Sequence, residues 1–152
     1  MKVRVTKVHG KAKMPVRAYP TDAGMDLFYC PSDERDWGKA MKVGAGESRI
    51  LGTGLKIEVP EGYMLEIKNK SGIASKNHLL VGACVVDRNY DGEIFVNLNN
   101  VGRLTTSIVA GQKIAQAVFV KIETDVELIE SDSIYDSETD RGDGALGSTG
   151  DT

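Results

Sequence analysis

The chain is poor in the residues that build metal centres, membrane spans and helices. Its 152 residues hold two histidines, His9 and His78, and two cysteines, Cys30 and Cys84, set far apart. None falls at the short Cys/His spacings of a zinc site, and isolated thiols are expected to stay free in a reducing compartment. No apolar run approaches the ~18 residues of a membrane span, and the opening Met1-Lys-Val-Arg-Val lacks the apolar stretch of a secretory signal. The expectation is a soluble, cytoplasmic protein without a membrane partner. Aromatics are only 6% of the chain and do not interleave with a lysine or arginine stripe, so nucleic acid is not an expected partner. Helical periodicity is almost missing.

What the chain does have is alternation of period two, the mark of strands with one buried face. Val3 and Val5 alternate with charges, and Leu55, Ile57 and Val59 are followed by the turn Pro60-Glu-Gly62 and by Tyr63, Leu65 and Ile67, which predicts a hairpin. The near-continuous apolar run Leu79 to Val86 leads through "DRNYDG" into Ile94, Val96 and Leu98, a second predicted hairpin. A last strand is expected from Ile114 to Ile122. Many short strands in a chain 41% hydrophobic indicate a single all-β domain: a sandwich, a jelly roll or a small barrel. The charged stretch "CPSDERDWGKA" (30 to 40) reads as a surface loop. Charge is divided unevenly. From Glu123 onward ten acidic residues face one arginine, Arg141, whereas the preceding 122 residues carry eighteen basic and twelve acidic side chains, a positive body able to attract a polyphosphate.

Five stretches are not explained by strand building alone. In "PTDAGMDL" (20 to 27) Asp26 opens an apolar run. In "KSGIA" (70 to 74) a cation, a hydroxyl and a glycine, Lys70, Ser71 and Gly72, precede a brief helix-like segment; Ser71 is either an N-cap or, with the free amides there, part of a phosphate cradle. In "VVDRNYDGE" (85 to 93) Asp87 ends a strand, where it is either a turn former or a carboxylate able to hold a water, and Tyr90 offers a flat face to a sugar or a base. In "GQKIAQ" (111 to 116) Gln116 interrupts a buried strand and needs a partner for its amide. The last stretch, "RGDGALGSTG" (141 to 150), is too rich in glycine to pack a core.

Taken in this order, the five stretches resemble the motifs of the trimeric deoxyuridine triphosphatase (dUTPase) family over nearly the whole chain. The resemblance implies a distorted jelly-roll β-barrel spanning 1–135 and a flexible tail, 136–152, that closes an active site on a neighbouring subunit of a homotrimer. It implies hydrolysis of dUTP to dUMP and pyrophosphate, with Asp87 deprotonating the attacking water and Gln116 beside that water. Lys70, Ser71 and Gly72 would bind phosphate, Mg²⁺ would gather the three phosphates, and Asp26 would touch the metal through water. The chain at Cys84, Val85, Val86 and Phe95 would read uracil, with Tyr90 under the deoxyribose. From the tail, Arg141 would meet the terminal phosphate, Leu146 would cover the base, and Gly147, Ser148 and Thr149 would cap the phosphates.

The chain departs from the family pattern at three substrate positions. Lys70 stands at a usual arginine and keeps the charge without the two-nitrogen fork. Cys84 stands at a usual glycine, and Leu146 where an aromatic commonly stacks. These changes leave open a nucleotidohydrolase for a modified pyrimidine. A dCTP deaminase, similar in fold, would want a glutamate beside the base where this chain has Asp-x-x-Tyr, and a regulatory or binding protein on the same scaffold would use the 30 to 40 loop.

Overall fold

The computed structural model describes residues 1–144; the expectations for Leu146, Gly147, Ser148 and Thr149 lie outside the described residues. Eleven strands run in chain order: β1 (Val5–Lys7), β2 (Met25–Phe28), β3 (Ala40–Val43), β4 (Ser48–Gly52), β5 (Leu55–Ile57), β6 (Tyr63–Lys68), β7 (Leu79–Val81), β8 (Val85–Val86), β9 (Phe95–Asn100), β10 (Thr106–Val109) and β11 (Lys113–Lys121). The single α-helix among the described residues, α1 (Ser71–Asn77), sits between β6 and β7. A four-stranded sheet in the order β2-β11-β6-β8 and a three-stranded sheet β4-β9-β7 are joined by two antiparallel pairs, β1-β5 and β3-β10. From Ile122 to Gly144 there is no strand or helix.

Alternation selects the core. Leu65 and Ile67 of β6 point inward, while Glu66 and Lys68 point out and pair with each other at 2.6 Å. Leu27, Ala115 and Ala117 continue that inner face and meet Leu51, Leu79, Val96 and Leu98 of the three-stranded sheet in one cluster. Each fully buried Leu or Ile removes enough apolar surface from water to contribute about 2 kcal/mol. The pattern on β9 places a third inward residue that is polar, Asn100. It is satisfied completely: Nδ2 donates to the carbonyls of Val43 and Leu104, both at 2.9 Å, and Oδ1 accepts from Gly102 N–H at 2.9 Å.

Two expected pairings are altered. The turn Pro60-Glu-Gly62 forms, closed by Tyr63 N–H to Pro60 O at 3.2 Å, but β5 pairs with β1 and β6 with β11 and β8, so the strands on either side of the turn are not partners. Alternation reports which face is buried and carries no information on who takes the edge hydrogen bonds. The run Leu79 to Val86 is broken in two. β7 pairs with β9, Gly82 N–H continues to Asn97 O, and at Cys84 the chain crosses to the other sheet, where its carbonyl accepts from Ile67 N–H at 2.7 Å. The loop at 30 to 40 contains a 3₁₀ turn, Glu34–Asp36, capped by Asp33, and is fastened to its own chain by Trp37 stacked on His9 at 5.9 Å. No helix among the described residues is long and apolar enough to cross a membrane.

Replacing Asn100 by alanine should leave the Val43 carbonyl unpaired in the interior and the Leu104 carbonyl and Gly102 amide unpaired at its margin, and cost about 2 kcal/mol. Chemical denaturation of the two proteins measures it; equal midpoints would show that Asn100 is dispensable.

Candidate active site

The edge of the four-stranded sheet carries a buried carboxylate held by two cations. Asp26 on β2 is cross-strand partner to Gln116 on β11, and Gln116 is partner to Lys68 on β6. The Asp26 side chain is only 7% exposed. Its Oδ1 accepts from Lys70 Nζ at 2.7 Å, and Lys113 Nζ lies 2.6 Å from Oδ2, an ion pair without the alignment of a hydrogen bond. Burial alone would push the Asp26 carboxyl up; the contacts with Lys113 and Lys70 outweigh it and hold the group below the ordinary carboxylate range.

Gln116 answers the need of its amide by donating from Nε2 to Asn69 O at 2.9 Å. That fixes the chain just before Lys70. A Cβ at Gly24 would lie 2.1 Å from Gln116 Oε1, so the glycine of "AGMD" is what lets the glutamine lie against the first motif. Asn69 is held in turn, its Oδ1 accepting from Val81 N–H at 2.6 Å. Lys70 occupies the N-cap of α1 with no side-chain capping bond, and Ser71 is the first helical residue, so the N-cap reading of Ser71 is corrected. Its hydroxyl is free for another acceptor at the helix start, next to Gly72 and beside Lys70.

Lys113 was not among the expected site residues. Three positions before Gln116, strict alternation would send it to the opposite face. The register of β11 against β2 shifts between Lys113 and Ala115, Ile114 and Ala115 are both buried, and Lys113 is returned to the face of Asp26. A bulge of this kind re-aims a side chain at no cost to the core.

The second group lies on β8 and the turn after it, with Phe95 contributed by β9 of the three-stranded sheet; β8 is three strand spacings, roughly 14 Å, from Asp26 on β2. Cys84, Val85, Val86, Asp87, Tyr90 and Phe95, with Ile67 behind them, line a cleft of about 200 Å³. Asp87 is exposed on the turn closed by Tyr90 N–H to Asp87 O at 3.4 Å, with Asn89 at φ 71°. The Tyr90 hydroxyl donates to Glu93 O at 2.9 Å. Arg141 joins neither group; its Nε donates to Gly144 O at 3.1 Å in an exposed turn.

Residues 10–150 match the sequence pattern of the dUTPase family. The chain belongs to that family. It is 39% identical to the deoxyuridine 5'-triphosphate nucleotidohydrolase of Wolinella succinogenes, covering 99% of this chain and 95% of that one, and 37% identical to that of Gloeothece citriformis, covering 99% and 97%. The dUTPase of Staphylococcus bacteriophage 80alpha, solved with dUPNHPP, superposes with a TM-score of 0.83 at 26% identity over 98% of each chain. A dUTPase from phage phi11 of S. aureus, whose structure concerns the coordination of a structural Mg(II) ion, superposes with a TM-score of 0.74 at 26% identity over 88% of this chain and 99% of that one. The largely β-stranded fold is thus that of dUTPase-like structures, and all five motif stretches lie within the matched span.

The Asp26 ion pairs stabilise the fold above the ordinary carboxylate pKa of 3.8, and that stability disappears as pH falls through the depressed folded-state value. Asp26→Asn should therefore be less stable than wild type at pH 7, with the gap narrowing on acidification toward pH 3. Urea titrations across that range would contradict this if the gap were constant.

Proposed function

We infer that the chain hydrolyses dUTP to dUMP and pyrophosphate, and that the observation carrying this is the match over residues 10–150 with a carboxylate, Asp87, exposed on a turn beside an apolar cleft. The cleft, about 200 Å³, is below the ~300–1,000 Å³ of pockets that enclose whole drug-sized ligands and suits one planar ring. Uracil takes it, against Cys84, Val85, Val86 and Phe95, and Tyr90 lies under the deoxyribose, where a 2′-hydroxyl has no room. The triphosphate belongs to the other group. Lys70, Ser71 and the helix-start amides around Gly72 bind phosphate oxygens; an ammonium has three N–H bonds, so Lys70 can keep Asp26 and take a phosphate at once.

Water attacks the α-phosphorus in line, the bond to the β-phosphate bridging oxygen breaks, and pyrophosphate leaves. Asp87 accepts the proton of the water, and Gln116 helps to place that water. Among the described residues of one chain no group of three or more His, Cys, Asp or Glu side chains could hold a metal ion by itself. Mg²⁺ would come with the triphosphate, and Asp26, whose two oxygens are each engaged by a lysine, would meet it through water. When bound, the ion offsets charge on the departing pyrophosphate.

Asp26 and Asp87 stand toward opposite edges of one sheet, and the site is completed between subunits of a homotrimer of jelly-roll barrels. The tail, 136–152, closes over a neighbour's site, with Arg141 on the terminal phosphate, Leu146 over the base and Gly147, Ser148 and Thr149 capping the phosphates. Two free cysteines, one buried and one partly exposed, suit the reducing cytoplasm.

Pyrophosphate release with Mg²⁺ and each of dUTP, dCTP, dTTP and UTP should show turnover of dUTP alone; turnover of another nucleotide instead would reassign the substrate. Asp87→Asn should lower kcat by about 10²-fold or more while leaving binding of a non-hydrolysable dUTP analogue intact. Unchanged turnover would remove Asp87 as the base. Truncation before Arg141 should leave a folded trimer with little activity, and unfolding on truncation would make the tail structural.

A further inference from the structure

The amide of Gln116 has two chemically different ends, and one bond decides which of them faces the site. Its Nε2 donates to Asn69 O at 2.9 Å, while Oε1 lies so close to Gly24 that a Cβ there would come within 2.1 Å of it. The wall at Gly24 limits where the amide can lie but does not tell nitrogen from oxygen. The Asn69 carbonyl does. Turned over, Gln116 would set one acceptor against another.

What holds that carbonyl lies outside the assigned machinery. The ladder of β6 on β11 ends at Lys68 and α1 begins at Ser71, so Asn69 and Lys70 form a short link between a strand and a helix. The peptide carrying the Asn69 carbonyl is not fixed through its own amide, because among the described residues Lys70 N–H has no hydrogen-bond partner. The ion pair of Lys70 with Asp26 acts at the far end of a flexible side chain. The remaining tether is the Asn69 side chain, whose Oδ1 accepts from Val81 N–H at 2.6 Å. β7 is the last strand of its sheet, and Gly82 N–H goes to Asn97 O on β9, so alternation turns Val81 N–H to the open edge. Asn69 occupies that edge. The far half of α1 is held separately, by Asn77 Nδ2 on Thr106 Oγ1 at 3.3 Å and by Val101 N–H on His78 O at 2.9 Å.

We propose that Asn69 is a positioning residue for the attacking water: its side chain, clasped on Val81, holds the carbonyl that orients the Gln116 amide. The proposal rests on the dUTP reading above and on Gln116 lying beside the water. It assigns Asn69 no contact with substrate. Without the clasp the amide samples both orientations, so the chemical step slows, while nucleotide binding at the cleft and at Lys70 is little changed.

The test uses the full chain as purified, with Mg²⁺. Single-turnover hydrolysis of dUTP and the Kd of a non-hydrolysable dUTP analogue are measured for wild type, Asn69→Ala, Gln116→Ala and the double variant, and amide hydrogen exchange at Val81 for the first two. Expected for Asn69→Ala is a hydrolysis rate lower by about fivefold, an unchanged Kd and faster exchange at Val81. Gln116→Ala should lower the rate further, and adding Asn69→Ala to it should cost nothing more, because the asparagine acts through the glutamine. The Asn69 side chain is exposed, so its removal opens no cavity. Should the alanine variant still not fold, Asn69→Ser, too short to reach Val81, replaces it with the same expectation. A wild-type rate in the clasp-breaking variant, unaltered exchange at Val81, or additive losses in the double variant overturn the proposal. If Gln116→Ala slows hydrolysis in that case, only the role of Asn69 has failed. If Gln116→Ala also leaves the rate unchanged, the placement of Gln116 beside the water has failed and the proposal with it.

Discussion

A carboxylate buried between two ammonium groups is the constraint on which the junction of β2, β11 and α1 depends. Removing a lone charge from water costs several kcal/mol, so Asp26 is tolerable in its position only while Lys70 and Lys113 both stay in contact. The three residues come from β2, from the start of α1 and from β11, and the ion pairs fix those elements relative to one another. Lys70 is thereby brought to the helix start already oriented, with little side-chain freedom left to lose. The net charge of the trio is positive, which is the sign a polyphosphate requires.

The glutamine beside it performs a similar service by a neutral route. Gln116 holds the carbonyl of Asn69, Asn69 holds the amide of Val81, and so β11, the approach to α1 and β7 are joined by two consecutive side-chain bonds. Both bonds run between residues distant in sequence, and both terminate on backbone that has no ladder partner there. Polar residues in the motifs thus do structural work in places where the sheet itself runs out of hydrogen bonds.

Most strands were legible because one-sided burial leaves a period of two in the sequence, and β6, β9 and β11 show it plainly. Pairing was less legible. The 55 to 67 hairpin and the unbroken 79 to 86 strand both failed, because buried-face patterns are blind to edge partners and to a chain that leaves one sheet for another within two residues. Of the site, Asp26, Lys70, Ser71, Gln116, Asp87 and Tyr90 could be picked out as polar residues out of pattern. Lys113 could not, since only a bulge puts it on the face of Asp26. Asn100 was missed for the opposite reason: it looks like an ordinary polar residue on a strand, and its importance lies in backbone partners that only the folded chain supplies.

The separation of the two groups across one sheet has a genetic counterpart. On the proposed assembly each reaction centre takes its phosphate side from one chain and its base side from another. A chain ruined only at Asp87 and a chain ruined only at Lys70 are then defective in different halves. Mixed in one trimer, they leave a centre whose two halves are both intact, so two inactive alleles can complement each other, while a chain damaged on both sides would poison its wild-type partners.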